Sequence, residues 1–258
     1  MGADPPGTAI ARISSFWLAD LAGAWIFYTV LPAWPWPPPQ FRRIARFAPW
    51  IGLVIGSLQA ALWWLLTELG WSSIALAPLV LGFGIWLSGG LHHDGLMDTS
   101  DGLAAGVERR LIAMADSRVG ASGVLALVML LFLEMAALIR LGSSAPIASL
   151  LAGVWARVSP LWAIGRFDYL RPEGSAAFHR RHGRFFLDAV PALLALPLLV
   201  WRSDPLPVLA GLPVAVLCSE RLGRRLGGHT GDSYGAALVL SEGVTPLVLS
   251  LIPAAASI

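Results

Sequence analysis

The chain of 258 residues contains no lysine, so all 18 of its basic residues are arginine. Chemistry that needs an amine is thereby excluded, including a P-loop lysine, a Schiff-base lysine and a Ser-Lys dyad. Cysteine is almost as scarce. The single thiol, Cys218, rules out an internal disulfide framework and a cysteine-built zinc site, and its place in an apolar run reads as packing. Charge of either sign is sparse, at 13% of residues against 56% hydrophobic, with a mean hydropathy of +0.69. A soluble domain carries about a quarter charged residues, so this composition belongs to a polytopic membrane protein. The pI near 9.2 does not announce a nucleic-acid partner, because the formal net charge is only +2. A cleavable leader is not expected either: the apolar run from Ile13 leads into a Pro- and Trp-rich segment without a small-residue cleavage pattern.

What is present is a series of apolar runs, at 13–31, 48–69, 74–87, 119–139, 146–164, 185–201, 205–218 and 236–252. They predict an all-α integral membrane bundle of seven or eight transmembrane helices, one domain over 1–258. The count turns on the first run. Asp20 interrupts it and is costly in lipid unless it faces protein, so that run either spans or re-enters. After it, residues 32–39 are too rich in proline for a helix and read as an extended interfacial segment anchored by Trp34 and Trp36. Loops 32–47, 102–118, 165–184 and 220–235 hold fourteen of the arginines, whereas Arg12, Arg140 and Arg202 fall on the opposite side and Arg157 inside a run. The positive-inside rule makes the Arg-rich side cytoplasmic, and a bacterial inner-membrane location is the expectation that goes with the family resemblance given below. That side also receives the acidic stretch and all five histidines.

The acidic stretch is Ser88-Gly89-Gly90-Leu91-His92-His93-Asp94-Gly95-Leu96-Met97-Asp98-Thr99-Ser100-Asp101-Gly102. Spacings of four and three place Asp94, Asp98 and Asp101 on one face of a helix. Like charges so arranged need a cation, protons or arginines, and no basic residue is interleaved to make an ordinary solvated face. Mg2+ is held by a few carboxylates together with substrate phosphates, which suits phosphoryl chemistry. Asp116 with Arg118 can add a fourth carboxylate and a phosphate-reading guanidinium, or simply cap a helix start. Arg157, a charge within an apolar run, is a functional candidate or a snorkelling side chain. Arg171, in a run with Pro172, Glu173 and Gly174, suits a phosphate. Gly227-Gly228-His229-Thr230-Gly231-Asp232 joins a backbone able to approach an anion to an acid for metal or proton, or is only a turn. His92 and His93 can hydrogen-bond an acid or phosphate. Asp20 and Glu134 are expected to face the bundle interior. Glu242 either returns to the same polar cavity or caps the last span.

On these residues the chain resembles the adenosylcobinamide-GDP ribazoletransferase (cobalamin synthase) family. Residues 27–32, Phe-Tyr-Thr-Val-Leu-Pro, are similar to its Phe-x-Thr-x-Leu-Pro, and residues 89–102 to its Gly-Gly-x-His-x-Asp-Gly-Leu-x-Asp-Thr-x-Asp-Gly signature. Met114 to Gly120 with Gly123 resembles its Met-x-Asp-Ser-Arg-x-Gly element. Arg157, then Arg171 with Glu173 and Gly174, fall where it has a Ser-Arg and an Arg-x-Glu-Gly, and residues 227–232 with Glu242 match its Gly-Gly-x-Thr-Gly-Asp block. Ser175-Ala176 departs from the family's Leu-Gly. The resemblance implies joining of alpha-ribazole or its 5'-phosphate to adenosylcobinamide-GDP with release of GMP, using Mg2+. Carried onto this chain, it implies Asp94, Asp98, Asp101 and Asp116 at the metal, with one of these or Asp232 as base and His92 orienting an acid. Arg118, Arg157, Arg171, Gly228, Thr230 and Glu242 would contact substrate or phosphate. Expected partners are the two substrates, the bilayer, and further copies of the chain or other cobalamin-assembly enzymes. Two other readings compete: a CDP-alcohol phosphotransferase, whose full Asp-Gly-x-x-Ala-Arg string is missing here, and a cation transporter, which would need its acids near the bilayer midplane.

Overall fold

The computed structural model describes residues 6–174, 176–200 and 205–252. Arg202, assigned above to the face away from the arginine-rich loops, and Ser175, where the motif departs, lie outside them. Among the described residues the chain is helical, with no strand and one isolated β-bridge between Tyr169 and His229. In order come α1 (Pro6–Tyr28), α2 (Ala48–Glu68), α3 (Ser73–Leu87), α4 (Leu91–Ala104), α5 (Arg110–Ala113) and α6 (Ala121–Leu141). They are followed by α7 (Ala145–Ala156), α8 (Val158–Arg166), α9 (Ala177–His182), α10 (Phe185–Val200), α11 (Pro205–Leu209), α12 (Gly211–Leu226) and α13 (Gly231–Ser250).

Three stretches, Ile44–Glu68, Ala121–Arg166 and Pro205–Leu226, are long and apolar enough to cross a membrane, or four if the bent pair α3–α4 is one span. The seven or eight passes expected from the sequence are not reached on that criterion. Other apolar runs form shorter helices: α3 has 15 residues, α7 has 12 and α10 has 16, against the roughly 20 that a perpendicular span needs. The run 146–164 breaks at Arg157, which ends α7 and precedes α8. The loop expected at 220–235 is in fact helical up to Leu226 and again from Gly231. Trp64, Ile74, Trp86, Leu125 and Phe132 are exposed on the outside of the bundle, a surface suited to lipid and not to water.

Small residues let the helices touch. Gly52 and Gly56 of α2 form a Gly-x-x-x-Gly ridge against α7; a Cβ at Gly52 would lie 2.0 Å from the Gly153 carbonyl oxygen. At the centre stands α13, which contacts α4, α6, α7, α8 and α12. Its buried Ser241 and Thr245 donate to carbonyls one turn back, at Ala237 and Ser241, so neither needs an outside partner.

The acidic stretch is helical as expected, and its setting follows from the two glycines before it. Gly89 and Gly90 adopt φ of +65° and +70°, the left-handed region open to glycine, and turn α4 by 93° away from α3. α3 carries no charged residue, whereas α4 carries three acids and two histidines. The apolar arm therefore ends at Leu87, and α4 is a polar arm beyond the bend.

Four of the loops meet. Arg43 pairs with Asp188 at the start of α10. Arg171 donates to the Leu111 carbonyl, Arg110 to that of Arg225, and the Leu170 amide to that of His229. The Arg-rich segments are thus gathered on one side of the bundle, next to α4.

Candidate active site

α4 and α13 cross at glycines: a Cβ on Gly95 would lie 2.6 Å from the Asp232 carbonyl oxygen, and one on Gly235 3.2 Å from the His92 Cα. Only hydrogen at these positions brings the helices close enough for Asp232 to stand beside Asp94 and Asp98. α4 buries His92, Gly95, Leu96, Thr99 and Gly102, leaving the acids on its more open stripe. Asp232 is fixed by the start of α13. Thr230 caps that helix, accepting from the Ser233 amide while the Ser233 hydroxyl accepts from the Thr230 amide, a reciprocal box.

The charges here do not balance. Burial, and then Asp94, Asp232 and Asp101 in that order, push Asp98 from its ordinary 3.8 up to about 6, against Arg171 alone. Burial also raises Asp232, opposed by Arg171 and by the Thr230 hydroxyl. Arg171 lies 3.0 Å from Asp232 and is held on its other side by the Leu111 carbonyl at 2.8 Å. The β-bridge between Tyr169 and His229 fixes that reach, since the Leu170 amide donates to the His229 carbonyl at 2.7 Å.

The remaining expected site residues fall into different roles. Asp101 points at the start of α6, accepting from the Gly120 and Gly123 amides at 2.7 and 2.8 Å, and so docks a helix N-terminus. Asp116 chelates Arg118 on an exposed loop, and those hydrogen bonds bring it down to about 2. Neither residue of that pair is among the charges acting on Asp98. Arg157 does not snorkel: it is 1% exposed, donates to the Gly153 carbonyl at 2.9 Å and pairs with Glu242 at 3.2 Å. Glu242 faces a small inner cavity with Gln59, His93 and Glu134, separate from the Asp94–Asp232 cleft. Asp20 and Glu134 are buried in the bundle, as expected. His92 lies against Tyr28 in a stacked arrangement at 5.7 Å and not against a carboxylate, and burial holds its imidazole neutral, down at about 3. Gly228, at φ +154°, closes the turn by donating to the Gly223 carbonyl.

The donors available at Asp94, Asp98 and Asp232 are all hard carboxylate oxygens, the set that suits Mg2+. Among the described residues no three carboxylates or imidazoles stand in metal-binding geometry by themselves. That is the usual situation for Mg2+, which takes one or two protein carboxylates and completes its shell with water and substrate phosphate. A surplus of acid beside a single arginine fits such an ion.

Sequence reasoning passed over the far wall of this cleft. Tyr234, His179 and Tyr28 line it with Asp94 and Asp232. Tyr234 follows the last acid by two residues and Tyr28 lies within the first motif, so position in the motifs was the available signal. His179 sat unmarked in an Arg-rich loop.

The family model for cobalamin-5-phosphate synthase matches residues 20–250. A protein named adenosylcobinamide-GDP ribazoletransferase from Prochlorococcus marinus (strain MIT 9303) is 58% identical over 252 residues, covering 92% of this chain and 96% of the relative. Proteins of the same name from Prochlorococcus marinus (strain MIT 9313) and Thermosynechococcus vestitus are 56% and 40% identical, over 92% and 89% of this chain and 98% and 95% of those relatives. No solved structure matches.

Proposed function

The chain belongs to the cobalamin-5-phosphate synthase family, and from that premise we propose that it is an adenosylcobinamide-GDP ribazoletransferase. A ribose hydroxyl of alpha-ribazole, or of its 5'-phosphate, attacks the phosphorus on the cobinamide side of the diphosphate. The bond from that phosphorus to the bridging oxygen breaks, GMP leaves, and adenosylcobalamin or its 5'-phosphate is formed.

The observation that carries this reading is the surplus of carboxylate at the α4–α13 crossing, set beside one arginine and a cleft. Phosphoryl transfer of this kind is mostly alignment and charge neutralisation. Asp94 and Asp98, one helical turn apart, would hold Mg2+, which supplies the positive charge that the diphosphate oxygens require. Asp232 lines the cleft, and its raised proton affinity suits it to accept the proton of the attacking hydroxyl. Arg171, planar and already oriented by the Leu111 carbonyl, holds phosphate oxygens, and Arg118, which stands on an exposed loop paired with Asp116, would contact phosphate only after leaving that pair. Asp101 and Asp116 serve less directly, the first by fixing α4 to α6 and the second by positioning Arg118. Arg157 and Glu242 brace α7 against α13 behind the site.

The same proposal includes a bacterial inner-membrane location with seven or eight passes, the shorter helices being met by local thinning of the bilayer, and with the gathered Arg-rich loops cytoplasmic. Its further partners would be copies of the chain or other cobalamin-assembly enzymes. The test is GMP release from adenosylcobinamide-GDP by the purified chain in nanodiscs. It should require both ribazole and Mg2+, stop on addition of EDTA, and have no counterpart in CMP release from CDP-diacylglycerol. GMP release indifferent to Mg2+, or CMP release alone, would overturn it.

A further inference from the structure

Behind the carboxylates lies a cleft of about 680 Å³, part of it open to solvent. Asp94 and Asp232 stand at its charged edge, and Phe27, Tyr28, Ile164 and Leu238 form much of its apolar lining. Two polar side chains on that lining are more than nine-tenths buried and have no partner among the described residues: the Tyr234 hydroxyl, in a residue 5% exposed, and the His179 Nδ1, in a residue 6% exposed. Their neighbours are satisfied. The His229 ring meets the Ser233 hydroxyl and the Ser219 carbonyl, and the Tyr169 hydroxyl accepts from the Ala176 and Gly231 amides. A buried polar group left unpaired beside a cleft marks a place where something else can supply the partner.

We propose, resting on the transferase reading above, that this cleft is the base subsite of the acceptor: it holds the planar benzimidazole of ribazole, with the Tyr234 hydroxyl donating to the ring nitrogen that carries no ribose. The walls are suited to a flat ring. Tyr234 is stacked against His229 at 5.3 Å and against Tyr169 at 5.9 Å, and Tyr28 lies against His92 at an interplanar angle of 21°. Rings immobilised by other rings give up little freedom when they take a third. With the base inside, the ribose lies toward Asp94 and Asp232, where its hydroxyl meets the proposed base.

The rival occupant is the guanine of the leaving nucleotide, and the lining argues against it. Guanine presents an N–H and an amine that call for acceptors such as a carboxylate or amide. The sequence has no asparagine, its two glutamines, Gln40 and Gln59, lie elsewhere, and the only carboxylates of the cleft are the two at its charged edge. Benzimidazole asks for one donor and an apolar wall. No arginine lines the cleft, so it reads a base and not a phosphate.

The full chain in nanodiscs with Mg2+ tests this by GMP release. Free benzimidazole should inhibit competitively against ribazole and not against adenosylcobinamide-GDP. Tyr234→Phe keeps the ring and removes the donor, and should raise KM for ribazole about 3- to 10-fold, the worth of one hydrogen bond, without raising KM for the nucleotide. Inhibition competitive with adenosylcobinamide-GDP, or a Tyr234→Phe effect on its KM instead, would place guanine in the cleft and overturn the assignment. So would an absence of both effects. If Tyr234→Phe does not fold, the inhibition pattern on the unaltered chain decides. Wild-type chain that releases no GMP with any ribazole fails the transferase reading itself, a distinguishable result.

Discussion

Two clusters of charge sit within this bundle, and they are built on opposite rules. At the base of α1, Asp20 pairs with Arg46, and Asp188 with Arg43 at 2.6 Å, one guanidinium per carboxylate. The Arg46 guanidinium also lies 4.2 Å from the Trp17 ring centre, so its charge is matched on two sides. At the α4–α13 crossing, Asp94, Asp98, Asp101 and Asp232 act on one another with Arg171 as the nearest opposing charge. The first cluster is complete as it stands and ties α1, the 32–47 segment and α10 together. The second leaves carboxylates in excess of arginine, and on the function proposed above a cation and a substrate would complete it, a difference that burial alone does not reveal.

The largest effect should come from the incomplete cluster. Asp98→Asn removes a proposed metal ligand while preserving shape, and GMP release should fall by at least about 10³-fold, roughly 4 kcal/mol of barrier, with the melting temperature held or raised. A loss confined to stability would erase the contrast between the two clusters. The complete cluster should behave in reverse. Arg46→Ala strands the buried Asp20 and should cost about 3–5 kcal/mol of stability, read as a lowered melting temperature in detergent, and Asp20→Asn added to it should restore part of the loss. Arg171→Lys sharpens the division further: it keeps the charge near Asp232 but loses the planar fork, and kcat/KM for adenosylcobinamide-GDP should drop about 10- to 100-fold with little change in melting.

How much of this was legible beforehand differs between the same two regions. The reactive cluster was readable because its chemistry is local in the chain: three acids at helical spacing after two glycines became α4, acids on its open stripe, turned sharply from α3. The partners of Asp20, by contrast, are 26 residues away at Arg46 and, through Arg43, 145 residues further at Asp188, and no periodicity links them. Arg157 was marked for its oddity in an apolar run, but its role as a strut to Glu242 needed the fold, because Glu242 approaches from α13. The span count of seven or eight is not reached by helix length and composition for a related reason. Hydropathy sees apolar runs, and short helices such as α7, enclosed by α2 and α13, are as apolar as membrane spans. The aromatic cleft was invisible as a site because Tyr28, His179 and Tyr234 come from three distant segments.

The smallest effect is also the most direct measure of surplus charge. Between about pH 4 and 6 the folded chain keeps a proton on Asp98 that the unfolded chain, at the ordinary 3.8, has already released. Where the folded state binds more protons than the unfolded, stability declines with rising pH, whereas the buried neutral His92, His179 and His229 act in the opposite sense, so in EDTA the melting temperature of the wild type relative to Asp98→Asn should fall by a few degrees as pH rises through that window. Saturating Mg2+ favours the ionised carboxylate and should flatten that difference between the wild type and Asp98→Asn. The Asp20–Arg46 pair provides the contrast, since an arginine is already bound to its acid and it should show no response to Mg2+. A pH dependence in EDTA that is the same in Asp98→Asn as in the wild type, or a difference that Mg2+ leaves untouched, would mean that the acids of α4 are balanced by something other than the ion proposed for them.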